Sequence, residues 1–127
     1  GLAQMENIDY ILKRKKLIYL KYKNLFNKNN NLNFKTMPLH ATSNYWLNLI
    51  EFNKKDFNIS KKIKQLISNN IDVRPIWQLN HLQKNFVKCE TFKISNAQKL
   101  LKKTICLPSS VDIIDKEIKQ IVSLIHE

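Results

Sequence analysis

The only glycine in this 127-residue chain is its first residue, Gly1. A chain with no internal glycine must build its turns and helix C-caps from residues that carry a Cβ. Asparagine is expected to substitute at several turns, since it tolerates left-handed backbone better than other side chains. Two function classes disappear at once. A glycine-rich Walker or Rossmann phosphate loop cannot be formed, and neither can a GxSxG nucleophile elbow.

The length suits one hydrophobic core, so residues 1–127 are read as a single domain. Hydrophobic residues at 43% and charged residues at 25% place the chain among folded globular proteins. Its net charge of +12, from 22 Lys and Arg against 10 Asp and Glu, raises the question of an anionic partner. Only Arg14 and Arg74 are arginines, the residue type that recognises phosphates and bases bidentately. Lys13, Asn30 and Ile118 stand for the abundant Lys, Asn and Ile, which share A- and T-rich codons, so the charge reads as coding bias. No specific nucleic acid is expected, and a small basic nucleic-acid- or polyanion-binding module is the alternative reading.

Cys89 and Cys106 show no pairing pattern, and no stretch nears the roughly 18 apolar residues that would cross a bilayer. A reduced, cytoplasmic protein with no membrane partner is expected. His40, His81 and His126 lie far apart and neither cysteine has metal-ligand spacing, so no metal site is read.

Along the chain, Met5, Ile8, Leu12, Tyr19, Tyr22 and Phe26 recur at helical steps, predicting one long amphipathic helix over residues 1–26. The segment GLAQMENIDYILKRKK lacks an N-cap before it, as if cut from a longer protein. Asn27 to Asn33 reads as an asparagine-rich loop. Beyond it, residues 44–127 read as an αβ sandwich. The run from Tyr45 to Phe52 suits a buried strand, and Ser60 can cap a helix that reaches about Asn70. Ile71 to Trp77 suits a strand whose Pro75 confines it to an edge. Ser95 can cap a short helix, Thr104 to Leu107 form a strand, and Asp112 or Asp115 starts a last helix with Ile118, Ile121, Val122 and Ile125 inward. The fold class expected is α/β (α+β), a small three-stranded sheet covered by helices.

The chemistry-bearing residues concentrate after the Ile71 strand, where Arg74, Trp77, Asn80 and His81 follow one another closely. Strand ends are where sites tend to form. An arginine can pair with a phosphate, a tryptophan can stack on a sugar or base, and an imidazole can donate to a hydroxyl. Taken alone, the cluster is better read as a core role for Trp77 and a structural ion pair for Arg74, because such clusters are common at strand ends.

These residues also resemble a known family. GLAQMENIDYILKRKK is similar to the GLAQLxxLDxxLxxRR helix of the DegT-type (DegT/DnrJ/StrS) sugar-nucleotide aminotransferases, and RPIWQLNHLQ is similar to their RPxxxPLHxxP segment. Asn70 stands where that family has a glycine, and Leu79 where it has a proline. ICLPSS resembles its LPS turn. RPIW, SNAQ and LPSS together look closest to the branch making legionaminic-acid-type or bacillosamine-type sugars. The resemblance implies the C-terminal small domain of a homodimeric fold-type-I pyridoxal phosphate (PLP) enzyme that moves an amino group from glutamate to a 4-keto nucleotide sugar. It implies substrate-binding roles for Arg74, Trp77, Asn80 and His81. The cofactor lysine would precede Gly1, so no catalytic or cofactor-binding residue is assigned here, and the chain alone is expected to bind no PLP and to be inactive.

Overall fold

In the computed structural model of the chain, which describes residues 1–27 and 30–127, a four-stranded sheet forms in the order β1-β2-β4-β3, every pairing antiparallel. Its centre is β2 (Asn48–Phe52) beside β4 (Thr104–Leu107), and its edges are β1 (Leu32–Phe34) and β3 (Arg74–Pro75). Three strands were expected and β1 is the fourth. Its three residues are too few to show alternation, and their strand character comes from distant partners. Leu32 and Phe34 pair with Phe52 and Ile50, and the Phe34 ring lies 5.9 Å from that of Phe26. The asparagine-rich loop expected over Asn27 to Asn33 gives up Leu32 and Asn33 to β1, and its Lys28 and Asn29 lie outside the described residues. Pro75 is on an edge strand, as a proline must be. The expected strand around it shrinks to two residues.

The N-terminal helix forms in two pieces, α1 (Leu2–Glu6) and α2 (Ile8–Phe26). Asn7 leaves helical geometry at φ −109°, and its side chain donates to the Ala3 carbonyl at 3.0 Å, competing with the helical ladder. Only the C-terminal half of α2 is buried, through Ile18, Tyr19, Tyr22 and Phe26, while Met5 and Leu12 face solvent. Helix α3 (Ile59–Ser68) is capped by Asn58, whose Oδ1 accepts from the Lys61 amide at 2.9 Å, two residues ahead of the expected Ser60 cap. Its far end is a Schellman turn. The Ile71 amide reaches the Leu66 carbonyl at 3.0 Å and the Asn70 amide reaches that of Ile67 at 2.9 Å, with Asn70 left-handed at φ 60°. Asparagine here takes the place glycine usually fills. Helix α4 (Ser95–Leu101) includes Ser95 in its first turn, with Ile94 before it. Helix α5 (Asp115–His126) buries Ile118, Ile121, Val122 and Ile125 as expected.

Residues paired across an antiparallel sheet share a face, which divides this one cleanly. Ile50, Phe52, Ile105 and Leu107 belong to the core, with Tyr22, Phe26, Leu66, Ile118 and Ile125 from α2, α3 and α5. On the opposite face Glu51 is buried between Lys35 and Lys103, the second at 2.6 Å, and also accepts from Asn33 Nδ2 at 3.1 Å. Burial pushes the Glu51 carboxyl up, but hydrogen bonds from the two lysines and their charges outweigh it and hold it below the ordinary range.

Helix α2 also fixes the turn between β4 and α5. Tyr22 Oη donates to the Pro108 carbonyl at 3.0 Å, Lys15 Nζ to that of Ser109 at 2.8 Å, and Arg14 to those of Val111 and Ile113 at 3.0 to 3.2 Å. Side chains thus supply the donors that a strand ladder would otherwise give these carbonyls.

Candidate ligand-binding grooves

The chain leaves the sheet at β3, and there the residues singled out by sequence divide between two grooves. Arg74 lies opposite Cys106 of β4, and its Nη2 donates to Asp72 Oδ2 at 3.1 Å. Both partners of this pair are largely exposed, so it adds little stability and leaves the guanidinium free to exchange carboxylate for another anion. Trp77 is 70% exposed and Trp46 56%, with ring centroids 5.6 Å apart and planes tilted by 59°. Trp77 is therefore a surface residue, which removes the core reading of it. Together with Asp72, Gln78 and Ser109, these three line a groove of about 620 Å³. Cys106 also borders it. Burial pushes its thiol up, against the opposing charge of Arg74.

Asn80 and His81 begin a short 3-10 turn (Asn80–Leu82) and border a second groove of about 470 Å³, with Phe86, Cys89, Thr91 and Phe92. Asn80 Oδ1 accepts from Gln83 Nε2 at 3.2 Å. His81 Nε2 is buried with no hydrogen-bond partner among the described residues, a costly state that a ligand hydroxyl or phosphate would relieve. Gln78 borders both grooves. The four residues are thus neighbours in sequence but serve two adjoining hollows.

Trp46, Asp72 and Ser109 were not picked out from the sequence. Trp46 was placed inside a strand, but β2 starts only at Asn48. The residues before it carry a turn signal in Ser43 and Asn44, whose side chains accept from the amides of Tyr45 at 2.9 Å and Trp46 at 3.1 Å. Ser109 belongs to the LPSS turn, and its Oγ donates to the Trp46 carbonyl at 2.7 Å.

A profile of the DegT/DnrJ/EryC1/StrS aminotransferase family matches residues 1–126. The chain belongs to this family. One relative is EpsN of Bacillus subtilis (strain 168), named as a pyridoxal phosphate-dependent aminotransferase. It is 26% identical over 133 residues, covering 98% of this chain and 33% of EpsN. Helicobacter pylori PseC, an aminotransferase involved in the biosynthesis of pseudoaminic acid, superimposes with a TM-score of 0.86 at 17% identity over 99% of this chain and 34% of PseC. DesI, solved in the presence of its TDP-sugar product, gives a TM-score of 0.86 at 13% identity over 98% of this chain and 33% of DesI. The chain spans about a third of the length of the relatives it matches. The fold is that of the C-terminal domain of a fold-type-I PLP enzyme, an α/β layer with a long N-terminal helix, as expected.

The cofactor in the name of EpsN does not fit the described residues. It calls for a lysine amine free to react, beside a carboxylate that can face the pyridine nitrogen. Among the described residues, the sheltered lysines are already engaged. Lys62 holds the Leu124 carbonyl at 2.7 Å, Lys15 that of Ser109, and Lys35 and Lys103 share Glu51.

Proposed function

We propose that this chain is the C-terminal part of a PLP-dependent aminotransferase that transfers an amino group from glutamate to a 4-keto nucleotide sugar for surface-glycan synthesis. Its cofactor lysine and the acid facing the pyridine nitrogen lie, on this reading, in protein outside this chain. The whole enzyme is a cytoplasmic homodimer. Family membership supports the reaction class, and the TDP-sugar of DesI supports a nucleotide sugar. RPIW, SNAQ and LPSS support the legionaminic-acid or bacillosamine branch.

The observation that carries the assignment of the site is Arg74 beside an exposed tryptophan pair, with His81 unpartnered in the adjoining groove. Arg74 exchanges Asp72 for a substrate phosphate, which it can hold through two parallel hydrogen bonds. Trp77 packs on a ring of the substrate. Asn80 and His81 bind its polar groups, the buried Nε2 of His81 gaining the partner it lacks. None of these side chains transfers the amino group. They bind and orient the substrate and exclude water, while the cofactor supplies the electron sink.

The test uses the full-length enzyme. Arg74→Ala and His81→Ala are expected to raise KM for the nucleotide sugar about tenfold or more, the loss of a charge-assisted or buried hydrogen bond. The half-reaction with glutamate alone should be unchanged. Equal turnover in wild type and both variants would remove these residues from the site. Adding PLP to the isolated chain should give neither transamination nor a visible absorbance band from lysine-bound cofactor.

A further inference from the structure

We infer that Trp46 is a specificity-determining residue of the 620 Å³ groove: its indole and that of Trp77 form an aromatic corner for the ring of a phosphorylated ring compound whose charge is held by Arg74. The inference deepens the proposed function and rests on the groove being its ligand site.

The position of Trp46 is imposed by its surroundings. Tyr45, just before it, is left-handed at φ 54°, a conformation a tyrosine keeps only where its neighbours enforce it. Its ring is pinned on that of Tyr19 at 4.9 Å, and the side chains of Ser43 and Asn44 tie down the next two amides. The Trp46 carbonyl is held in turn by Ser109 Oγ. Ser109 sits on the turn gripped by Lys15, Arg14 and Tyr22. Backbone strain and three side-chain hydrogen bonds thus hold an indole half out of the protein, where it gains little from burial. Such strain gathers at ligand sites.

The geometry also decides how a ring can bind. Stacked rings lie about 3.5 Å apart, so a ring sandwiched between two indoles would need them roughly 7 Å apart. At 5.6 Å and 59° the two are instead in tilted contact with each other, so a bound ring would lie against their exposed faces and not between them. Arg74 and Asp72 line the same groove. A ring linked to phosphate therefore has both of its recognition elements here, and the ring can be a nucleobase or a pyranose.

The test exploits composition. Trp46 and Trp77 are the two tryptophans of the sequence, so intrinsic fluorescence of the chain reports on this corner alone. The chain is titrated with uridine diphosphate, with an anomeric glucose phosphate, and with inorganic pyrophosphate. A saturable emission change with either ring compound is expected, and the tighter one identifies the ring. Pyrophosphate should bind at least about tenfold more weakly, in keeping with the strength of ring stacking. Trp46→Ala, read through Trp77, should weaken the ring compound about tenfold and leave pyrophosphate unchanged, whereas Trp46→Phe should stay within about threefold. If circular dichroism shows Trp46→Ala unfolded, Trp46→Leu against Trp46→Phe makes the same comparison. No saturable response to either ring compound, pyrophosphate binding as tightly as both, or aliphatic variants binding like wild type overturns the inference. Should that happen while the full-length enzyme still transaminates nucleotide sugars, the proposed function stands and Trp46 alone loses its role. Binding at the corner without transamination has the reverse meaning.

Discussion

The Nζ of Lys62 donates to the Leu124 carbonyl at 2.7 Å, so a lysine of α3 closes the last turn of α5. The carbonyls of a helix's last turn have no partner within the helix, and a positive charge there meets the negative end of its dipole. Lys62 is only 7% exposed, and burial pushes its amine below the usual 10.5. In Lys62→Met the lost hydrogen bond and the relieved desolvation oppose each other, so stability at neutral pH should change by no more than about 1 kcal/mol. As pH rises through the lowered value toward 10.5, the folded protein sheds a proton that the unfolded chain keeps. Wild type should therefore gain stability relative to the variant over that window. Tyr22, whose hydroxyl burial pushes up, contributes equally to both proteins. Urea unfolding at neutral and alkaline pH measures the difference.

Glu51 has the opposite sign. Its carboxyl is held below 4.5 in the folded protein, so its contribution is present above 4.5 and disappears as pH falls through the lowered value. Glu51→Gln should cost about 1–3 kcal/mol at neutral pH, the exposure of the two lysines keeping it below the cost of a fully buried broken pair. In acid the two proteins should converge. Denaturation across the acid range tests this, and a constant difference would show that the carboxylate's charge is not the cause.

Asn70 is left-handed at the C-terminus of α3. Asn70→Gly should stabilise the chain by about 0.5–1 kcal/mol through relief of the Cβ, less whatever glycine adds to the freedom of the unfolded chain. Asn70→Val should destabilise it by at least about 1 kcal/mol. Thermal unfolding of the pair gives both signs at once.

The sequence carried those elements whose cause is local. α5 was legible because Ile118, Ile121, Val122 and Ile125 repeat at helical spacing and all face inward. β4 was legible from its apolar run closed by Pro108. The break at Asn7 was not, since nothing in the pattern tells an asparagine that bonds its own helix from one that points to solvent. β1 was not, because its partners Ile50 and Phe52 lie some 16 to 20 positions away. At the candidate site, Arg74 and Trp77 stood out by residue type. Trp46 was hidden because an aromatic run reads as strand, and only a left-handed Tyr45 turns it outward.

Arg14 reaches two carbonyls of the turn that carries Ser109, and so bears on Trp46 from a distance. Arg14→Ala should cost about 1–3 kcal/mol, as expected when hydrogen bonds from a charged group are lost. It should also alter tryptophan emission, although the residue does not line the groove. Emission identical to wild type in the folded variant would show that the turn holds Trp46 without help from Arg14.

Because Arg74 and Trp77 open on one hollow while Asn80 and His81 open on its neighbour, a long molecule lying across both would meet a different set of side chains at each end. Evolution or an engineer could then exchange the preference for one end without disturbing the other. Gln78, at the seam, is the place where a single substitution would be felt by both.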